Sequence, residues 1–232
     1  MVYHADRAVT WTAEDKANSP QRLAWLEGHK TFLWISSAIS AGLAAWSLIY
    51  LDVEVIRVGV VLAAIGMLYN VPIPILNGRL KDTQGFRILL IVGCWVIGGV
   101  YLPLHQYISA PSLPMLLAWK ASIMVPNVLM AEWVDREGDV AHKVRGTGSW
   151  LGKKHIIFAS SICLFISLFL LWEWAPHASN PNFVWMEGIG LIGLVSSIII
   201  RKEWRSENVV LLDAWIGFPM VIWIVWILSS SA

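Results

Sequence analysis

The segment Glu132-Trp-Val-Asp135-Arg-Glu-Gly-Asp139 places three carboxylates at positions i, i+3 and i+7. On an α-helix that spacing stacks them along one face, over about two turns. Like charges so placed repel one another, and burial near a membrane boundary raises the cost. A divalent cation relieves both penalties. Mg²⁺ suits such a place because it binds through one or two carboxylates together with the phosphate oxygens of a substrate. The same residues have a second reading, an exposed helix end whose acids pair with Arg136, Lys143 and Arg145. A further alternative has Gly138 ending the helix before Asp139, which breaks the common face.

A second group follows the run Tyr69-Asn-Val-Pro-Ile-Pro, where Gly78-Arg79-Leu-Lys81-Asp82 brings a basic pair close behind an aromatic. Arg79 and Lys81 could hold a phosphate by charge-assisted hydrogen bonds. Basic residues beside a membrane helix are also what topology alone demands. A third group, Tyr3-His-Ala-Asp6-Arg7 with Glu14, Asp15 and the turn Asn18-Ser-Pro20, reads by itself as a solvated lead-in.

The elements that must position these groups are apolar. Of 232 residues 57% are hydrophobic and 14% charged, against about 25% charged in ordinary soluble domains. That balance excludes a soluble fold, intrinsic disorder and a disulfide scaffold. Net charge is +1, which gives no electrostatic ground for a nucleic-acid partner. Fifteen Trp point the same way, because Trp collects at membrane interfaces. Cys94 and Cys163 sit inside apolar runs and read as small buried hydrophobes. Residues 1–30 contain no apolar stretch of signal-peptide length, so insertion is expected to rest on the internal segments.

Seven stretches approach the roughly 20 apolar residues a membrane helix needs. They are Thr31–Tyr50, Arg57–Pro74, Ile88–Tyr107, Leu113–Glu132, Ile156–Trp174, Phe183–Ile200 and Leu211–Leu228. None alternates with the period of two that a barrel strand requires, so the expected fold is all-α, a polytopic transmembrane helical bundle. Its organisation is a cytoplasmic segment over residues 1–30, then one seven-helix domain over 31–232. Fifteen of the 17 Lys and Arg fall in alternate loops, the exceptions being Arg57 and Lys120. By the positive-inside rule the N-terminus is cytoplasmic and the C-terminus outside, as in a multi-pass protein of a bacterial-type plasma membrane. All three chemical groups then lie on the cytoplasmic side.

In this order the three groups resemble the UbiA superfamily of intramembrane prenyltransferases, helical bundles with two aspartate-rich cytoplasmic motifs. Glu132, Asp135 and Asp139 match the second motif, D-x-x-D-x-x-x-D, with Glu in the first place. The stretch from Tyr69 to Lys81 looks like the loop between the fourth and fifth helices of that family. The first motif, aligned on Asp6, keeps that one aspartate and has Thr10 in the last place. The seven spans correspond to the family's helices three to nine, its first two being absent from the chain.

The resemblance implies Mg²⁺-dependent transfer of an isoprenyl group from its diphosphate to an aromatic or lipid-soluble acceptor. It implies Asp6, Glu132, Asp135 and Asp139 as metal ligands, and Asp135, Asp139 and Lys81 as catalytic. It implies Arg79, Tyr69, Lys143 and Arg145 around the diphosphate. The partners are an isoprenyl diphosphate, a hydrophobic acceptor and the bilayer, with no nucleic acid. The alternative is a catalytically degenerate or shortened member that serves as a membrane binding or scaffold protein. A seven-helix receptor or retinal pump has the opposite orientation, and the last span has no lysine for a Schiff base. A transporter lacks support from paired repeats. His4, His142 and His155 show no metal spacing. Lys120 is expected to snorkel outward, Asp213 either to face the bundle or only to sit at a helix start, and Gly217-Phe-Pro219 to mark a kink.

Overall fold

A backbone in lipid must satisfy its own hydrogen bonds, and a continuous apolar run does so as a helix. The computed structural model of the chain follows that rule, and it describes residues 20–69, 72–73, 78–80, 85–104, 112–141, 147–177, 181–200, 211–219 and 221–222. The first helices are α1 (Pro20–Gly28), α2 (Lys30–Ser47, prolonged by a 3₁₀ turn Leu48–Tyr50) and α3 (Val53–Leu68). A two-residue antiparallel pairing of β1 (Pro72–Ile73) with β2 (Gly78–Arg79) follows. Next come α4 (Phe86–Val96), α5 (Ser112–Ala141), α6 (Thr147–Trp150), α7 (Lys153–Trp174) and α8 (Pro181–Ile200). The last described helix, α9, covers residues 211–219.

Among the described residues four helices are long and apolar enough to cross a membrane: Lys30–Tyr50, Phe86–Leu104, Ser112–Ala141 and Lys153–Trp174. They fall on the first, third, fourth and fifth of the seven apolar stretches. The second stretch folds as α3, whose 16 residues extend about 24 Å, short of the ~30 Å hydrocarbon core. It stops at Leu68, ahead of Pro72 and Pro74, neither of which has an N–H to continue a helix. The sixth stretch is α8, in which the segment Val184–Ile198 is apolar but shorter than a span. The end of the seventh lies outside the described residues. The chain is therefore helical and built for a membrane.

Two prolines shape the spans. Beyond Val96 the helix α4 runs on through a π-helical stretch Ile97–Tyr101 to Leu104. Pro103 lies one turn past Gly99, and the widened turn relieves the clash of its ring with the carbonyl four residues back. Pro126 sits inside α5, fully buried, and packing holds that helix together where a backbone bond is lost.

The chain divides into two compact units, Met1–Arg87 with Asp135–Gly146, and Ile88–Val134 with Thr147–Ala232. In the first unit α2 buries only Leu33 and Ser37, while Phe32, Trp34, Ile35, Ile39 and Trp46 are exposed. Such a helix presents apolar side chains to its solvent, which is sensible only in lipid. In the second unit, α7 buries Ile156, Ser160, Leu164, Ser167 and Leu171, one stripe at spacings of three and four. Its other side exposes Phe158, Phe165, Phe169 and Trp172. The buried stripe carries the small serines and the lipid side carries the large rings, the pattern expected where helices pack in a membrane. Trp119, fully buried, stacks on Trp174 with ring centroids 5.6 Å apart.

Gly193 of α8 faces the Trp215 indole of α9 so closely that an added Cβ would overlap the ring. Gly188, on the same helix, has open space beside it. Gly193→Ala is expected to destabilise the fold by about 1–3 kcal/mol. Gly188→Ala should leave stability nearly unchanged, as read by unfolding in mixed micelles.

Candidate functional site

The helix α5 runs without a break through Gly138 to Ala141, so Asp135 and Asp139 stand on the helix that also carries Glu132. The spacing read from the sequence is thus realised, and Gly138 does not end the helix. The two outer carboxylates are engaged by groups of their own units.

Glu132 is 1% exposed, and its Oε2 accepts the backbone N–H of Thr147 at 2.8 Å. Thr147 opens α6, where a backbone N–H has no helical partner and a carboxylate is the natural acceptor. Gly148 packs against the backbone of Glu132 so tightly that a Cβ there would overlap the carbonyl oxygen. Within its unit, Glu132 fastens the start of α6 to α5.

Asp139 is also buried, and Arg87 Nη1 lies 3.4 Å from its Oδ2. Arg87 occupies the first turn of α4, just after Gly85, whose φ of 74° places the turn in the left-handed region that glycine tolerates. Sequence reading offered Arg136, Lys143 and Arg145 as counter-charges. Arg87 takes that role at Asp139, while Arg136 lies 3.4 Å from its exposed neighbour Glu137. The pairing joins residues 52 positions apart, and no local pattern announces it.

Among the other candidates, Asp135 is half-buried on α5. Tyr69 is half-buried and closes α3, its backbone N–H donating to the Ile65 carbonyl at 3.0 Å. Arg79 is half-buried on β2, where the register sets it opposite Pro72. Asp6, Lys81, Lys143 and Arg145 lie outside the described residues.

Among the described residues no three Asp, Glu, His or Cys side chains converge as a set able to hold a metal ion. A protein cage is not what Mg²⁺ requires, however, because one or two carboxylates and a substrate's phosphates suffice. Asp135 lies one turn from each of Glu132 and Asp139 on α5.

One polar contact inside the second unit differs from the sequence reading, and another decides between two readings. Lys120 does not snorkel: its Nζ is 2.5 Å from Glu187 Oε1 on α8, with side chains 24% and 7% exposed. The ammonium also lies over the Trp119 ring, 4.4 Å from the centroid. Pairing with a carboxylate removes the need to reach for water. Asp213 does more than begin a helix, since its Oδ1 accepts Asn127 Nδ2 at 2.6 Å. Ser122 and Ser167 share a buried hydroxyl–hydroxyl bond of 2.7 Å. The charges themselves are visible in the sequence, where a Lys and a Glu inside apolar runs signal that each needs a partner.

Compared with models of protein families, with curated proteins and with solved structures, the chain finds no match in any of the three.

Breaking the Arg87–Asp139 pair from one side leaves a buried charge uncompensated. Arg87→Met is expected to cost about 3 kcal/mol in unfolding experiments, and the double change Arg87→Met with Asp139→Leu should recover most of it. Glu132→Ala removes the acceptor of the Thr147 N–H and should cost about 1–3 kcal/mol, whereas Glu132→Gln retains an oxygen and should cost less.

Proposed function

We propose that the chain is a UbiA-like membrane prenyltransferase, which transfers an isoprenyl group from its diphosphate to an aromatic or lipid-soluble acceptor. The observation that carries this reading is the continuous α5, which bears Glu132, Asp135 and Asp139 in the motif's spacing at the end of a membrane-length helix. Seven spans, a cytoplasmic N-terminus and a bacterial-type plasma membrane belong to the same proposal, supported by the alternation of basic loops.

In this reading the diphosphate docks beside the last turns of α5. Asp135, with Asp139 and with Asp6 of the N-terminal segment, would hold Mg²⁺, which would supply positive charge against that developing on the leaving diphosphate. Arg79, Lys81, Lys143 and Arg145 supply further positive charge, with the Tyr69 hydroxyl as a hydrogen-bond donor. Arg87 holds Asp139 in place until the substrate arrives and can then turn to a phosphate oxygen. The C–O bond to diphosphate breaks, the electron pair leaves with the diphosphate, and the allylic cation is captured by the acceptor, which loses a proton. Lipid-facing apolar walls carry the isoprenoid tail.

A second reading is a non-catalytic membrane binding or scaffold protein. It is favoured by the engagement of Glu132 with Thr147 and of Asp139 with Arg87, contacts that serve the fold directly.

Release of pyrophosphate from geranylgeranyl diphosphate by the purified protein separates the two. The enzyme reading expects release that requires Mg²⁺ and falls about a hundredfold in Asp135→Asn. Release that is absent with every chain length of donor, from protein shown to be folded, would establish the scaffold reading instead.

A further inference from the structure

The second unit holds a cavity of about 30 Å³ among α5, α8 and α9, walled by Ile123, Met124, Leu191 and Trp215 and floored by the Lys120–Glu187 pair. None of its residues belongs to the proposed diphosphate site. Counted along their helices, Lys120 lies about 12 Å from the start of α5 and Glu187 about 9 Å from the start of α8. Both are within segments that are otherwise apolar. Ionised side chains at such depth are rare and accompany a ligand or transport site more often than chance placement would give. The neighbouring wall is kept thin by Gly190, where an added Cβ would come within 3.0 Å of the Trp215 carbonyl oxygen and 3.1 Å of Pro219 Cγ.

We propose that this cavity binds the head of a neutral, hydroxyl-bearing lipid, a long-chain alcohol dissolved in the membrane. Three properties of the floor select that chemistry. The ammonium and the carboxylate neutralise each other, so a charged head would bring an uncompensated charge into a low-dielectric place. The floor has both a strong donor and a strong acceptor, and a hydroxyl is the small group that answers both. The volume exceeds the 10–15 Å³ or so that a single water needs, which is room for a hydroxyl and its carbon but not for a tail. The tail therefore remains in the bilayer, reached through the open side along which Lys120 keeps a quarter of its side chain exposed. Glu187, 7% exposed, is the fixed member of the pair and Lys120 the adjustable one.

The test uses the full chain in phosphatidylcholine nanodiscs and a photoreactive hexadecanol that carries a diazirine near its hydroxyl. No diphosphate or Mg²⁺ is present, so the result does not depend on the transferase reading. Cross-links should concentrate on peptides containing Lys120, Met124, Glu187 and Trp215. Plain hexadecanol should suppress them about fivefold, and hexadecyl methyl ether, which lacks the donor, should not. Lys120→Met combined with Glu187→Leu replaces the pair by apolar groups of similar size and should lower labelling by about the same factor. Ile123→Phe fills the cavity and leaves the pair intact, so its expected loss of labelling supplies the answer even if the double variant does not fold. Labelling spread evenly over the lipid-facing helices, equal competition by the ether, or full labelling of a folded Ile123→Phe protein would overturn the proposal.

Discussion

A charge inside a hydrocarbon layer must find an opposite charge or a strong hydrogen-bond partner, and the described structure is arranged around that requirement. The chain has few charges to place, 33 ionisable Lys, Arg, Asp and Glu in 232 residues. Two that fall on membrane-length helices and are buried or half-buried are matched: Lys120 by Glu187 and Asp139 by Arg87. Two contacts of buried neutral side chains follow the same rule, Asn127 with Asp213 and Ser122 with Ser167. The hydrophobic effect does little to press helices together in lipid. Packing of small residues and these polar contacts decide which helix faces which.

The longest helix is where the contacts gather. Along α5 the residues Lys120, Ser122, Asn127 and Glu132 reach, in turn, α8, α7, α9 and the start of α6. Each contact is short and each uses a side chain that has no business in an apolar run unless it is paired. Past Glu132 the helix continues through the half-buried Asp135 to the buried Asp139. A structural spine in one half of its length thus becomes a candidate anion-handling surface in the other. Asp139 serves both the fold and the proposed chemistry, its carboxylate being held in register by the Arg87 guanidinium.

Much of this was legible in the sequence, for reasons that can be given residue by residue. The apolar runs fix helices because no other conformation satisfies a backbone in lipid, and the spacing of Glu132, Asp135 and Asp139 survives because nothing in that stretch ends a helix. The length of α3 was less legible: its apolar run continues to Pro74, but helix geometry fails before Pro72. The partners were not legible at all. Arg87 and Asp139 are 52 residues apart, Lys120 and Glu187 67, Asn127 and Asp213 86. A single sequence records that Lys120 needs an acid but not which acid, so snorkelling was the default. Local rules carry no information about such pairings, which depend on how helices far apart in the chain meet.

The acid-bearing end of α5 is proposed to receive a prenyl diphosphate together with Mg²⁺. Equilibrium binding of geranylgeranyl diphosphate to the full chain in nanodiscs, followed by calorimetry with and without Mg²⁺, addresses it most directly. The account predicts saturable binding that Mg²⁺ tightens by about tenfold or more, a difference of about 1.4 kcal/mol. Binding that is unchanged by Mg²⁺, or equal for geranylgeraniol without its diphosphate, would contradict it.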